Sequence, residues 1–228
     1  MKLVIFDIDG TLTNTVDVDD ICFAKAFKDV FGMDISGINW HRIKTLSSGT
    51  DTGMAMEIYR SYKKVLPDMN DIITLRETFT RRLKFELITH PEKFTEIPGA
   101  RNFMRKLCNN SKIGVSVSTG SWKQSGLMKL AAAGMEIGDI PYSSSEFLSK
   151  RTEILDDVIQ KSKKYYGHDK FDSMVYIGDG KWDYLSAREL GIKFVGVDYE
   201  RTGKLAIAGA TDIIHDYTEL DMVIKLIC

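Results

Sequence analysis

Three short polar clusters in this chain carry residue types suited to acid–base and metal chemistry: Asp7-Ile8-Asp9-Gly10-Thr11, Ser118-Thr119-Gly120-Ser121 and Gly178-Asp179-Gly180-Lys181-Trp182-Asp183. Each comes directly after an apolar run, KLVIF, KIGVSV or SMVYI. Carboxylates at the end of a buried strand carry a desolvation cost that a plain turn does not need. Brought together, Asp7, Asp9, Asp179 and Asp183 would repel one another, and each would tend to take up a proton. A hard divalent cation removes that conflict, and an all-oxygen ligand set favours Mg²⁺.

The elements that would bring the clusters together can be read from the hydrophobic pattern. Residues 2–6, 112–117, 173–177 and 193–197 are Val- and Ile-rich runs without clean alternation. That is the pattern of parallel strands buried on both faces. Helical stretches separate them. ARNFMRKLCNN follows Pro98-Gly99 with Phe103, Met104 and Leu107 on one face, and WKQSGLMKLAAAGM follows Thr119-Gly120. TEILDDVIQKSKKYYG and DYLSARELG each close on a glycine, Gly167 and Gly191. Such alternation predicts an α/β fold, a doubly wound, Rossmann-like parallel sheet with right-handed crossovers. In that fold ligands bind at the carboxyl ends of strands near the topological switch point, so the three clusters should share one crevice.

Residues 16–90 break the rhythm. They show no convincing strand and three helical stretches, DICFAKAFKDVFG, TGMAMEIYRSYKKVL and DIITLRETFTRRLKFELI. The expected division is a core of residues 1–15 and 91–228 with an all-helical subdomain, 16–90, inserted after the first strand. The alternative is that these helices cover one sheet face. With eleven Lys/Arg and eleven Asp/Glu, the insert is no basic clamp.

The whole chain of 228 residues is 43% hydrophobic and 28% charged, ordinary for a globular protein. A formal net charge of -1 gives no global field for nucleic acid or an anionic membrane, so neither is an expected partner. No apolar run reaches the roughly 20 residues of a membrane span. Cys22, Cys108 and Cys228 are odd in number and widely spaced, which reads as free thiols in a reducing cytoplasm. His41, His90, His168 and His215 show no metal-binding spacing.

The motif D-x-D-G-T after the first strand, G-D-x-x-x-D after a late one and a helical insert between them resemble the haloacid dehalogenase superfamily. The likeness is to members with an α-helical cap, the phosphoglycolate-phosphatase-like and β-phosphoglucomutase-like group. The resemblance implies a phosphomonoester hydrolase. Asp7 would be the nucleophile that forms an aspartyl-phosphate, and Asp9 the general acid and base. Mg²⁺ would be held by Asp7, Asp9 (through its backbone carbonyl) and Asp179, with Asp183 supporting. Gly10 would let backbone N–H groups approach the phosphate.

Thr119 and Gly120 would bind the substrate phosphate, with Ser118 the alternative to Thr119 by one residue of register. The family's basic residue falls on Lys150 or Arg151, in a stretch that lacks its common proline; residue type favours Lys150. LSSGTDTGMAMEI resembles the cap segment of phosphoglycolate-phosphatase-like members, so Gly49, Thr50 and Asp51 would face the substrate. The structural alternative is a helix N-cap at Thr50 or Asp51. The expected partner is a small phosphoester, hydrolysed or, in the mutase alternative, returned to a sugar. The same residues on a non-catalytic phospho-binding protein or a receiver-like regulatory domain form a more distant reading. Monomer and homodimer stay equally open.

Overall fold

Alternate residues of a strand face opposite sides of a sheet, and in KLVIF both sides are buried. Leu3 and Ile5 join one apolar cluster with Leu155, Val158 and Tyr176. Val4 and Phe6 join another with Phe103, Val117, Ile177 and Val197. Helices must therefore cover both faces, which is why the run shows no alternation. The computed structural model describes residues 1–227 and bears this out.

Six parallel strands lie in the order β5-β4-β1-β6-β7-β8. They are β1 (Lys2–Phe6), β4 (Ile113–Ser118), β5 (Tyr142–Ser143), β6 (Met174–Gly178), β7 (Lys193–Val197) and β8 (Ile213–Ile214). The chain runs outward from β1 to one edge and then returns to fill the other, so the switch point lies at β1. Phe6 is level with Val117 of β4 and with Ile177 of β6. The three polar clusters thus leave the sheet side by side. Helices α5 (Ala100–Cys108), α6 (Lys123–Ala132), α7 (Arg151–Tyr166), α8 (Lys181–Glu189), α9 (Lys204–Ala208) and α10 (Leu220–Ile227) flank the sheet.

Between β1 and α5 the chain leaves and returns through a two-stranded antiparallel ribbon, β2 (Thr13–Asn14) against β3 (Thr95–Glu96). Four helices lie between the ribbon strands: α1 (Val16–Phe31), α2 (Trp40–Leu46), α3 (Asp51–Lys63) and α4 (Met69–Thr89). Phe23, Phe27, Met54, Ile58, Leu75 and Phe79 of these helices lie in one apolar cluster. Trp122 enters it from the sheet side, and Met128 and Ala132 of α6 pack against it. Trp122 stacks on Phe23, centroids 5.7 Å apart, and meets Phe79 edge-on. Helix α2, the two ribbon strands, β5, β8, α9 and α10 were not expected from the sequence. The strands among them are two residues long, too short to show a period. Of the three cysteines, Cys22 is buried, Cys108 is exposed, both are free, and Cys228 lies outside the described residues. Among the described residues, no helix is long and apolar enough to cross a membrane.

Candidate active site

Asp7 is the first residue past β1, and its N–H donates to the Ile177 carbonyl at 2.9 Å, which fixes it between β4 and β6. The next residues turn sharply. The Ile8 carbonyl accepts from the N–H groups of Thr11, Leu12 and Thr13, and Gly10 adopts φ +72°. A Cβ at Gly10 would stand 2.5 Å from Asp179 Oδ2, so both the backbone angle and the approach of Asp179 require glycine here.

Asp7 is 3% exposed and lies in a cluster with Asp179 and Asp183. Burial raises its pKa well above the usual carboxylate value; the Arg151 guanidinium opposes this, and Asp183, Asp179 and Asp9 add to it. Arg151, the first residue of α7, is itself buried. Its Nη1 donates to Asp7 Oδ1 at 3.1 Å and its Nη2 to the Gly49 carbonyl at 3.1 Å. Its Nε lies 3.1 Å from Asp183 Oδ1, in ion-pair rather than hydrogen-bond geometry. Asp183 also accepts from Tyr176 Oη at 2.8 Å and from the Gly180 N–H at 2.9 Å. Asp179 pairs with Lys204 Nζ at 2.8 Å.

One ligand oxygen from each of Asp7, Asp179 and Asp183 lies within 4.8 Å of the others. This buried, all-oxygen set fits a hard divalent cation such as Mg²⁺. Arg151 and Lys204 balance part of its charge.

Asp9 is held differently. Thr15 Oγ1 donates to its Oδ1 at 2.6 Å, while Ser121 Oγ and Lys129 Nζ donate to its Oδ2 at 2.7 and 2.6 Å. Burial alone would raise its pKa, but the Lys129 charge and these hydrogen bonds outweigh it and hold the carboxyl below the usual range. Lys129 has no exposed surface and also pairs with Asp19 Oδ1 of α1 at 2.6 Å. Burial lifts the Asp19 carboxyl to about 6, against the pull of Lys129.

A cavity of about 230 Å³ opens over these groups, bounded by the strand ends below and the helical insert above. Thr119, Gly120, Arg151 and Gly49 line it. Ser118 does not; it is fully buried, still paired with Ser143 in the sheet. Lys150 is also elsewhere. It is the residue before α7, 69% exposed along its side chain, with its ammonium 3.7 Å from Glu153. The preference for Lys150 over Arg151 is thus corrected by position: the helix begins between them, and only Arg151 turns inward.

In the segment 49–51 the expected roles divide. Gly49 and Asp51 line the cavity. Thr50 is the N-cap of α3, accepting from the Gly53 N–H at 3.1 Å and donating to the Ser149 carbonyl at 2.7 Å. Asp51 Oδ2 accepts from the Trp122 N–H, and its own N–H donates to the Gly120 carbonyl, both at 2.8 Å.

Sequence reasoning missed Lys129, behind Asp9, and Lys204, Asp19, Asp20, Trp40, His41 and Lys44, which line the cavity. Lys129 alone left a signal. With Ser125, Gly126 and Leu130 it lies on the buried stripe of α6, where a lysine is out of place.

The haloacid dehalogenase-like hydrolase family model matches residues 4–197. No curated protein matches the chain. A hydrolase from Pseudomonas syringae aligns at 21% identity and TM-score 0.74, covering 99% of this chain and 98% of that one. A predicted phosphoglycolate phosphatase from Haemophilus somnus 129PT aligns at 16% identity and TM-score 0.67, covering 98% of each chain. A candidate β-phosphoglucomutase from Bacteroides vulgatus aligns at 16% identity and TM-score 0.69, covering 100% of this chain and 88% of that one. At such identities the three share its fold. The chain belongs to the haloacid dehalogenase-like hydrolase family.

Proposed function

We propose that this family member is an Mg²⁺-dependent phosphomonoesterase acting on a small phosphorylated metabolite in the cytoplasm, and that residues 16–90 are its cap. The observation that carries the reading is the placement of Asp7. A carboxylate oxygen stands at the floor of the cavity with Arg151 on one side and the Asp179–Asp183 pair on the other. Asp7, Asp179 and Asp183 would hold Mg²⁺, which supplies charge neutralisation for the phosphoryl oxygens.

An Asp7 oxygen attacks phosphorus in line. The ester P–O bond breaks, and the leaving oxygen takes a proton from Asp9. Water then attacks the same phosphorus and gives a proton to Asp9, the bond from Asp7 to phosphorus breaks, and phosphate leaves. The Lys129 charge and its neighbours keep Asp9 ionised, the form the second step requires. For the first step, the negative charge of the arriving phosphate raises the proton affinity of the carboxyl beside it. Arg151 and the hydroxyl of Thr119 are the donors in position for the phosphate oxygens. The insert over the cavity excludes bulk water and favours esters small enough to fit beneath it.

Phosphate release from a panel of small phosphoesters, with Mg²⁺ and with EDTA, tests the reading. Metal-dependent release that disappears in Asp7→Asn is the expected result. The likeness to a candidate β-phosphoglucomutase supports a second reading, a mutase built on the same two aspartates. Exchange of label between sugar phosphates, followed by ³¹P resonance, separates the two.

A further inference from the structure

Lys129 is a charged side chain with no exposed surface. Its ammonium has three hydrogens and three acceptors: Asp9 Oδ2 at 2.6 Å, Asp19 Oδ1 at 2.6 Å and Ser121 Oγ at 2.8 Å. We propose that Lys129 is a positioning residue for Asp9, and that it sets Asp9 correctly only while the helical insert stays docked through Asp19. The proposal rests on the phosphatase reading of this site.

The argument starts from connectivity. Asp9 and Lys129 belong to the sheet side, Asp9 beyond β1 and Lys129 on α6, whereas Asp19 is on α1, the first helix of the insert. The other Asp9 oxygen is held by Thr15, the last residue before α1. One oxygen of Asp9 is therefore fixed at the junction by Thr15, and the other by Lys129, which itself reaches across the junction to Asp19. Thr13 extends the chain of contacts, its hydroxyl 2.6 Å from that of Thr15.

A buried ammonium needs nearby counter-charge. With Asp19 present, Lys129 is shared between two carboxylates and its position is set from two sides. If α1 tilted away, the ammonium would keep only Asp9 and Ser121, and the carboxylate that fixes it from the far side would be gone. Lys129 reaches the reaction through Asp9 and lies outside the cavity lining.

Lys129→Met keeps most of the side-chain volume without the charge, and Asp19→Asn removes the insert's half of the contact at a position outside the proposed ligand set. Each is assayed with Mg²⁺ on the best alkyl ester of the panel and on p-nitrophenyl phosphate, whose leaving group departs without a proton. The expected result is a fall in kcat/KM, which reports the steps through ester P–O cleavage, by about 10²-fold in Lys129→Met and about tenfold in Asp19→Asn on the alkyl ester. On p-nitrophenyl phosphate the same variants should lose at least about tenfold less. Equal losses of kcat/KM on both esters, or retained kcat/KM on the alkyl ester, overturn the proposal. If Lys129→Met does not fold, Asp19→Asn alone decides. A wild type inactive on both esters overturns the phosphatase reading and this inference with it. An active wild type with unaffected variants overturns this inference alone.

Discussion

Two buried ion clusters meet at one cavity, and they are built in opposite ways. The first joins Asp7, Arg151 and Asp183, all placed by strand ends and helix starts of the α/β sheet. The second joins Asp9, Lys129 and Asp19, and it spans the junction between sheet and insert. In the first, burial and the neighbouring carboxylates outweigh the Arg151 guanidinium, and the Asp7 carboxyl is pushed up. In the second, an ammonium and two hydroxyls converge on one carboxyl, and Asp9 is pushed down. The same protein thus holds two neighbouring aspartates with contrary proton affinities. This is the arrangement expected where one must accept a metal or phosphorus and the other must move a proton.

The comparison breaks most sharply at Asp7. Asp7→Asn should lower turnover by about 10⁴-fold or more while the protein still folds, measured as phosphate release beside a far-UV spectrum. Metal removal comes next, since EDTA should reduce release to the level of that variant, and added Mg²⁺ should restore it. Arg151→Met leaves two buried carboxylates without their guanidinium. It should lower kcat/KM by about 10²-fold or more and destabilise the fold by about 3 kcal/mol in urea.

The pH dependence of stability sharpens the contrast in metal-free protein. The folded-state pKa of Asp7 lies above its unfolded value of 3.8, so the native state holds the extra proton. The contribution of Asp7 is then full below about pH 4 and fades as pH rises through the folded pKa. Asp7→Asn should melt higher than wild type by a margin that grows from pH 4 to pH 7. Asp9 has the opposite sign: its contribution is full above about pH 4 and fades as pH falls through its lowered value. Asp9→Asn should therefore melt lower than wild type at pH 7, and the gap should narrow in acid. The smallest effect belongs to Lys150→Met, within about 0.5 kcal/mol and with activity unchanged, because its charge already faces water.

The sheet and the first cluster were legible because strands buried on both faces show as unbroken apolar runs, and the polar residues ending them stand out. Asp7, Asp9, Asp179 and Asp183 could each be named from that boundary alone. Register was not legible. Whether Ser118 or Thr119 faces the cavity, and whether Lys150 or Arg151 begins the helix, turns on a single residue that composition does not fix. The second cluster was hidden for another reason. Asp19 and Lys129 are 110 residues apart, and only the docking of α1 on the sheet side makes them partners. Thr50 shows how two sequence readings can divide a motif: it caps α3, while its neighbours Gly49 and Asp51 reach the cavity.

Where the insert crosses the loop after β4, two glycines touch. A Cβ on Gly120 would lie 2.0 Å from the Gly49 carbonyl oxygen. At this crossing main chain meets main chain directly, with the Arg151 guanidinium beside the contact. One methyl group at position 120 would work as a doorstop, propping the two layers apart and pressing on the Arg151 guanidinium, whose Nη2 would lie 2.9 Å from it. Cavity height becomes adjustable at a residue that carries no charge. New selectivity could thus be reached by changing a clearance instead of rebuilding the chemistry.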